Sequence, residues 1–232
     1  MRPLSVLVTG DPVPGVEARR GNFVSLIHAA LGEAWAGEIS VLDARRGELP
    51  EPAEVGALVI TGSPESVTSR AQWVLEAERA VAEVVRAGVP TLGICFGHQL
   101  LGQALGGLVE LNPRGREMGS VRVEPLDSDP LFGASLEPFV ANMSHRDSVT
   151  RLPPGARVLA ATEREPHAAL RFAERAWGVQ FHPEFDADVM RGYIEAREAA
   201  LRAEGIEPAT VPAKDAPEAE RVLRTFAQLA LR

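Results

Sequence analysis

The sequence has little cysteine, little lysine and few aromatic residues. Of 232 residues one is cysteine and 5% are aromatic, and Lys214 is the only lysine among 24 Lys+Arg. A lone cysteine excludes an internal disulfide and a cysteine-based structural zinc site. The formal charge of −8 leaves no basic surplus of the kind a phosphate-backbone binder needs, and the arginines are scattered with no cluster beyond pairs. No apolar run approaches the ~18–20 residues of a membrane span, and the stretch Leu4 to Val8 is too short for a signal-peptide core. None of the five histidines stands in an H-E-x-x-H or comparable spacing, and no G-x-x-x-x-G-K-[ST] phosphate loop occurs. The expectation is a cytoplasmic protein with no metal, no nucleotide cofactor, and neither a nucleic-acid nor a membrane partner.

What is present is an ordinary globular composition, 45% hydrophobic and 24% charged, long enough for one large domain over residues 1–232. Short apolar runs alternate with helical periodicity through the first half, the pattern of stacked βαβ units. Strands are expected at Leu4 to Val8, Glu38 to Leu42, Ala57 to Thr61 and Thr91 to Ile94. Helices are expected at about Val16 to Trp35, Ala71 to Ala87 and Gln99 to Leu105. From Leu108 onward the pieces are β-rich, ending with Ala176 to Phe181. Two helices follow, at about 188–204 and 219–231, joined by a Pro-rich loop, 205–217, read as a solvated connector; rimming a pocket or contacting a partner are its alternatives. The stripe Val222, Leu223, Phe226 and Leu229 reads as core.

Two readings stand for Cys95: a small buried hydrophobe or a reactive thiol. The form Gly93-Ile94-Cys95-Phe96-Gly97, between an expected strand and an expected helix, is that of a nucleophile elbow. Such a turn strains the nucleophile's backbone, and Gly93 and Gly97 are needed because strand and helix press on them. The helix dipole there favours the thiolate, and the Phe96 N–H would point where an oxyanion develops. A second segment, Trp177 to Glu184, ends an expected strand with His182 and Glu184 two residues apart. In extended chain these face the same way, so Glu184 can accept from the His182 ring and fix its tautomer. Thiol, imidazole and carboxylate are the parts of a nucleophilic triad. His98, beside the elbow, reads as a helix-surface or packing residue.

The segments G-I-C-F-G-H-Q at 93–99 and G-V-Q-F-H-P-E at 178–184 resemble the class I, triad-type glutamine amidotransferases, with the texture of the GMP synthase glutaminase domain and its stand-alone relatives. Thr61 to Val67 looks like the family's oxyanion-strand loop, and Met143 to Asp147 is similar to its glutamine-holding segment. The four motifs occur in the family's order, and the resemblance covers roughly residues 4 to 185. The resemblance implies a flavodoxin-like three-layer α/β/α sandwich with a mostly parallel central sheet, here with an added β-rich second half. It implies Cys95 as nucleophile, His182 as general base and acid, and Glu184 as its orienting carboxylate. Backbone N–H groups of Ser63 and Phe96 would form the oxyanion hole, and Gly62, Gln99 and the Ser144-His145 backbone would line the glutamine pocket. No cofactor is implied.

The implied substrate is glutamine or another γ-glutamyl small molecule, and the sequence leaves three readings of the chemistry. The first is a glutaminase that releases ammonia for a separate synthase subunit, since only 48 residues follow Glu184 (232 − 184) and none forms a phosphate loop. The second is a γ-glutamyl peptide or amine hydrolase with the same triad. The third is a catalytically silent scaffold.

Overall fold

Four short apolar segments of the first half pair side by side as parallel strands in the computed structural model, which describes residues 2–133 and 136–232. Met1, Ala134 and Ser135, within the expected 1–232 domain, lie outside the described residues. Strand β1 (Leu4–Val8) is flanked by β2 (Ile39–Asp43) and β3 (Ala57–Ile60), and β4 (Thr91–Ile94) follows β3. Strands β1, β3 and β4 are buried along their whole length, as parallel strands covered on both faces are.

The second half begins with β5 (Leu108–Leu111), β6 (Glu117–Pro125), β7 (Phe139–His145) and β8 (Asp147–Arg151). It continues with β9 (Arg157–Ala161), β10 (Ala169–Ala173) and β11 (Ala176–Val179). Strand β11 adds parallel to β4, and β10, β9, β6 and β7 extend the same sheet antiparallel, giving the order β2-β1-β3-β4-β11-β10-β9-β6-β7. Strands β5 and β8 form a separate antiparallel pair.

Helices cover both faces of the parallel part. Alternation along β1 and β3 sends Leu4, Val6, Ala57 and Val59 to one face and Leu7, Leu58 and Ile60 to the other. The first set packs with Ile27 of α2 (Phe23–Leu31) and with Leu223 and Phe226 of α7 (Pro217–Ala230). The second packs with Val74, Val81 and Val84 of α3 (Gln72–Arg86) and Leu100 of α4 (Phe96–Ala104). This is the three-layer α/β/α arrangement, and the stripe Val222, Leu223 and Phe226 is core.

Several elements depart from the sequence expectation. The stretch Val16 to Trp35 is two helices, α1 (Pro14–Arg20) and α2, because Gly21 turns the chain and Asn22 caps the second by accepting from Ser25 N–H at 3.0 Å. The expected helix 188–204 breaks at Arg197 into α5 (Ala187–Ala196) and α6 (Glu198–Ala203). The loop 205–217 is more than a solvated connector. Ser120 N–H donates to Pro212 O at 2.8 Å and Lys214 N–H to Ser120 Oγ at 2.7 Å, while Ile206, Val211 and Ala213 pack against the cluster that holds Phe23 and Met118.

The elbow depends on the closeness of α4 to the sheet. A Cβ on Gly93 would stand 2.4 Å from the Gly97 carbonyl carbon, and one on Gly97 would stand 2.5 Å from Ile60 O. These obstacles are backbone atoms that cannot rotate away. Gly97→Ala is expected to destabilise the fold by about 3 kcal/mol or more, as over-packing against backbone does. Gly15→Ala in α1 meets only the Arg19 guanidinium at 3.8 Å and is expected to be neutral or stabilising. Urea titration of both variants checks the pair, and equal midpoints would contradict the close-approach account.

Candidate active site

Strand β4 ends at Ile94 and α4 begins at Phe96, so Cys95 alone makes the turn. Its φ of 50° and ψ of −100° lie where L-residues other than glycine are rarely found. Cys95 N–H is anchored on Val179 O at 2.8 Å, and Gly97 N–H on Thr61 O at 3.2 Å, which hold the turn against relaxation. Phe96, as first residue of α4, carries an N–H with no acceptor inside its helix.

His182 and Glu184 meet, but not as neighbours on one strand. Strand β11 ends at Val179; His182 N–H donates to Asn142 O at 2.9 Å in an isolated bridge, and a turn beyond it brings Glu184 back. Across that turn His182 Nδ1 and Glu184 Oε1 are 2.8 Å apart, both side chains buried. The ring stacks on Phe185 with centroids 4.0 Å apart, and a Cβ on Gly62 would come within 2.9 Å of its Cε1. Phe185 and Gly62 thus fix the plane of the imidazole, leaving Nε2 as the nitrogen not engaged by Glu184.

Burial pushes the imidazolium of His182 down, but the Glu184 carboxylate and the Cys95 sulfur beside it act more strongly together and raise its pKa from 6.5 to about 10. His98 shows burial acting without such a partner. It is fully buried, tilted against Phe172 at 5.6 Å, and its pKa falls to about 3, so it is a neutral packing residue on the buried side of α4.

Cys95 opens into a cavity of about 560 Å³ lined also by Ser63, Phe96, Gln99, Ser144 and His145. Cys95 Sγ is 4.0 Å from Ser144 O. The His145 ring turns away from the cavity into a polar pocket, with Nδ1 3.0 Å from Asp147 O and Nε2 3.4 Å from Glu117 Oε2, so it is the backbone of 144–145 that faces inward. Gln99 Nε2 donates to Asp147 O at 2.8 Å and to Gln180 Oε1 at 3.0 Å; its amide therefore ties α4 to the 144–147 segment. Gly62 lies against His182 and is not among the cavity-lining residues.

Residues with no motif to announce them complete the site. Asn142 accepts from Ser120 Oγ at 2.7 Å and donates to Phe185 O at 2.8 Å, fastening the His182 turn to β7. Arg116 and Arg197 stand on the cavity wall together with Glu65, Arg146 and Asp147 of the two motif segments 61–67 and 143–147. Only the assembled fold brings Arg116, just before β6, and Arg197, at the break between α5 and α6, to that wall. Among the described residues no group of three or more His, Cys, Asp or Glu is placed to hold a metal ion, and no helix is long and apolar enough to cross a membrane.

Known proteins are similar to this chain in sequence and in fold. The family profile "Glutamine amidotransferase class-I" matches residues 25–200. A GMP synthase [glutamine-hydrolyzing] of Aeropyrum pernix is 43% identical over 143 residues, which cover 62% of this chain and 26% of that protein. One from Thermus thermophilus is 43% identical over 129 residues, covering 55% and 24%. The match thus spans about a quarter of these relatives' length. A glutamine amidotransferase structure from Thermotoga maritima superposes with a TM-score of 0.75 at 22% identity, each chain covered 100%. One from Methylobacillus flagellatus superposes at 0.71 with 21% identity, covering 100% of this chain and 93% of that one, and both show the same flavodoxin-like fold. With a family profile matched over most of its length, the chain belongs to the glutamine amidotransferase class-I family.

Proposed function

We propose that this chain hydrolyses the γ-amide of glutamine through a Cys95-His182-Glu184 triad and a γ-glutamyl thioester, releasing ammonia for a synthase subunit. The observation that carries the reading is the convergence of a buried His182–Glu184 pair, 2.8 Å apart, on a thiol held at a strained helix N-terminus. A cysteine serving only as packing needs neither a strained backbone nor a polarised imidazole.

In the proposed reaction the Cys95 thiolate attacks the γ-carbonyl carbon, and the carbonyl π-electrons move onto oxygen. The Ser63 and Phe96 N–H groups hold that oxyanion. The tetrahedral intermediate collapses by breaking the C–N bond, and His182 gives its Nε2 proton to the departing nitrogen, which leaves as ammonia. A γ-glutamyl thioester remains on Cys95. Neutral His182 then takes a proton from water, whose oxygen attacks the thioester carbon; the C–S bond breaks and glutamate leaves, restoring thiolate and imidazolium.

The cavity supports an amino-acid substrate. Glu65 and Asp147 present negative charge and Arg116, Arg146 and Arg197 positive charge around one space, a match for the α-amino and α-carboxylate groups of a zwitterion. For the partner, the support is that the relatives which align here over about a quarter of their length are named as glutamine-hydrolysing synthases.

Purified protein is expected to release glutamate and ammonia from glutamine. Cys95→Ala should lower that rate by at least ~10³-fold with its melting temperature nearly unchanged. Faster turnover of γ-glutamyl peptides or amines than of glutamine would reassign the substrate, and glutaminase activity retained in folded Cys95→Ala would contradict the triad.

The pH behaviour follows from His182. Its folded pKa, about 10, is above the ordinary 6.5, so its contribution to stability is complete below pH 6.5 and is lost as pH rises toward 10. Glu184→Gln removes the charge that opposes burial, and the pKa of His182 should then fall. Iodoacetamide alkylation of Cys95 at neutral pH is expected to slow ~10-fold or more in Glu184→Gln. Superimposable pH–rate profiles for the two proteins would contradict the role of Glu184.

A further inference from the structure

Thr9 directly follows β1, is fully buried, and sits far in sequence from every motif of the site. Yet it contacts three successive residues of the loop after β3. Thr9 N–H donates to Thr61 Oγ1 at 3.0 Å, and the Thr9 hydroxyl lies 3.0 Å from Thr61 O and 3.0 Å from Gly62 O. Ser63 Oγ donates to Thr9 O at 2.7 Å. Because Thr61 Oγ1 accepts from Thr9 N–H, its own proton is free for Gly62 O, 3.0 Å away. Two hydroxyls therefore reach the one carbonyl oxygen of Gly62.

That carbonyl belongs to the Gly62–Ser63 peptide, whose other end is the Ser63 N–H. There is no cis peptide bond among the described residues, and in a planar trans peptide C=O and N–H point in opposite directions. In the sheet order β1 lies on one side of β3 and β4 on the other. A carbonyl fixed toward Thr9, at the end of β1, thus turns the Ser63 N–H toward Cys95, at the end of β4. Ser63 and Cys95 line the same cavity. The contact leaves little slack, since a Cβ on Gly10 would stand 2.8 Å from Ser63 Cα and 2.5 Å from Pro64 Cδ.

We propose that Thr9 is a positioning residue that locks the Gly62–Ser63 peptide with its N–H facing the Cys95 sulfur, so that the oxyanion hole stands formed in the isolated chain. Turning this peptide over would take Gly62 O away from the Thr9 and Thr61 hydroxyls and aim a carbonyl oxygen at the site of the developing anion. The inference rests on the glutaminase reading above and adds that no synthase is needed to assemble the hole.

The test compares Thr9→Val, which keeps the shape and removes the hydroxyl, with Thr9→Ser, which keeps the hydroxyl. For glutamine hydrolysis by the chain alone, Thr9→Val is expected to lower kcat ~10–10²-fold with KM little changed, and Thr9→Ser to stay within about threefold of wild type. Iodoacetamide alkylation of Cys95 needs no oxyanion hole and should proceed at the wild-type rate in both. Unchanged kcat in Thr9→Val would overturn the proposal. So would equal losses in the two variants, or a loss of alkylation that parallels the loss of hydrolysis, because either marks a general structural role. A wild-type chain inactive on every γ-glutamyl compound would contradict the glutaminase reading instead. The lock is then judged from crystal structures: Gly62 O turned toward Thr9 in wild type and released in Thr9→Val supports it, and Gly62 O facing the sulfur in wild type overturns it.

Discussion

Helix α4 lies so close to the ends of β3 and β4 that Ile60 O occupies the space of a Gly97 side chain and the Gly97 backbone the space of a Gly93 side chain. At that distance the chain must pass from strand to helix in one residue, and Cys95 takes a left-handed φ of 50° to do so. Such a conformation costs on the order of 1–3 kcal/mol and persists where surrounding packing over-determines it. Here the apolar clusters on both faces of the sheet supply that packing. The same turn presents the sulfur to the cavity, frees the Phe96 N–H, and places Gln99 one turn along to tie the 144–147 segment to the helix.

Around this fixed sulfur, the other groups arrive from the C-terminal ends of neighbouring strands, where open α/β sheets collect their sites. His182 and Glu184 come from beyond β11, the loop of Gly62 and Ser63 from beyond β3, and Thr9 from beyond β1. Their electrostatics follow from what burial is opposed by. His98 is buried with no carboxylate beside it and is held neutral, whereas His182 is equally buried but faced by Glu184 and is held charged. Two histidines within one active-site region are thereby driven in opposite directions, His182 up by Glu184 and the Cys95 sulfur together and His98 down by burial that no such neighbour opposes.

The parts of the site legible in the sequence are those whose requirement is local. Gly93-Ile94-Cys95-Phe96-Gly97 encodes a close approach within five residues, and its position between a strand pattern and a helix pattern places it at the C-terminal end of a strand. The pairing of His182 with Glu184 was legible as a pair of residue types, but the geometry differs: a turn, and not a continuing strand, joins them, because the chain leaves β11 at Val179 to bridge Asn142. Thr9 and Asn142 carry no local signal. Their partners lie 52 and 43 residues away, so their roles exist only once the strand order is set. The loop 205–217 reads as solvated from its prolines, yet its backbone pairs with Ser120, an interaction that no periodicity in the loop could announce. Strand β8, Asp147–Arg151, hides for the same reason, being short, polar at all but Val149, and defined by its pairing with β5.

The proposed reaction turns on one covalent event, the transfer of a γ-glutamyl group to Cys95. Acid quenching of the wild-type chain during glutamine turnover, followed by peptide mapping with mass spectrometry, measures it directly. A hydroxylamine-labile γ-glutamyl adduct is expected on the peptide that contains Cys95. Steady glutamine hydrolysis with the adduct on another residue, or with no adduct under conditions that trap thioesters, would contradict it.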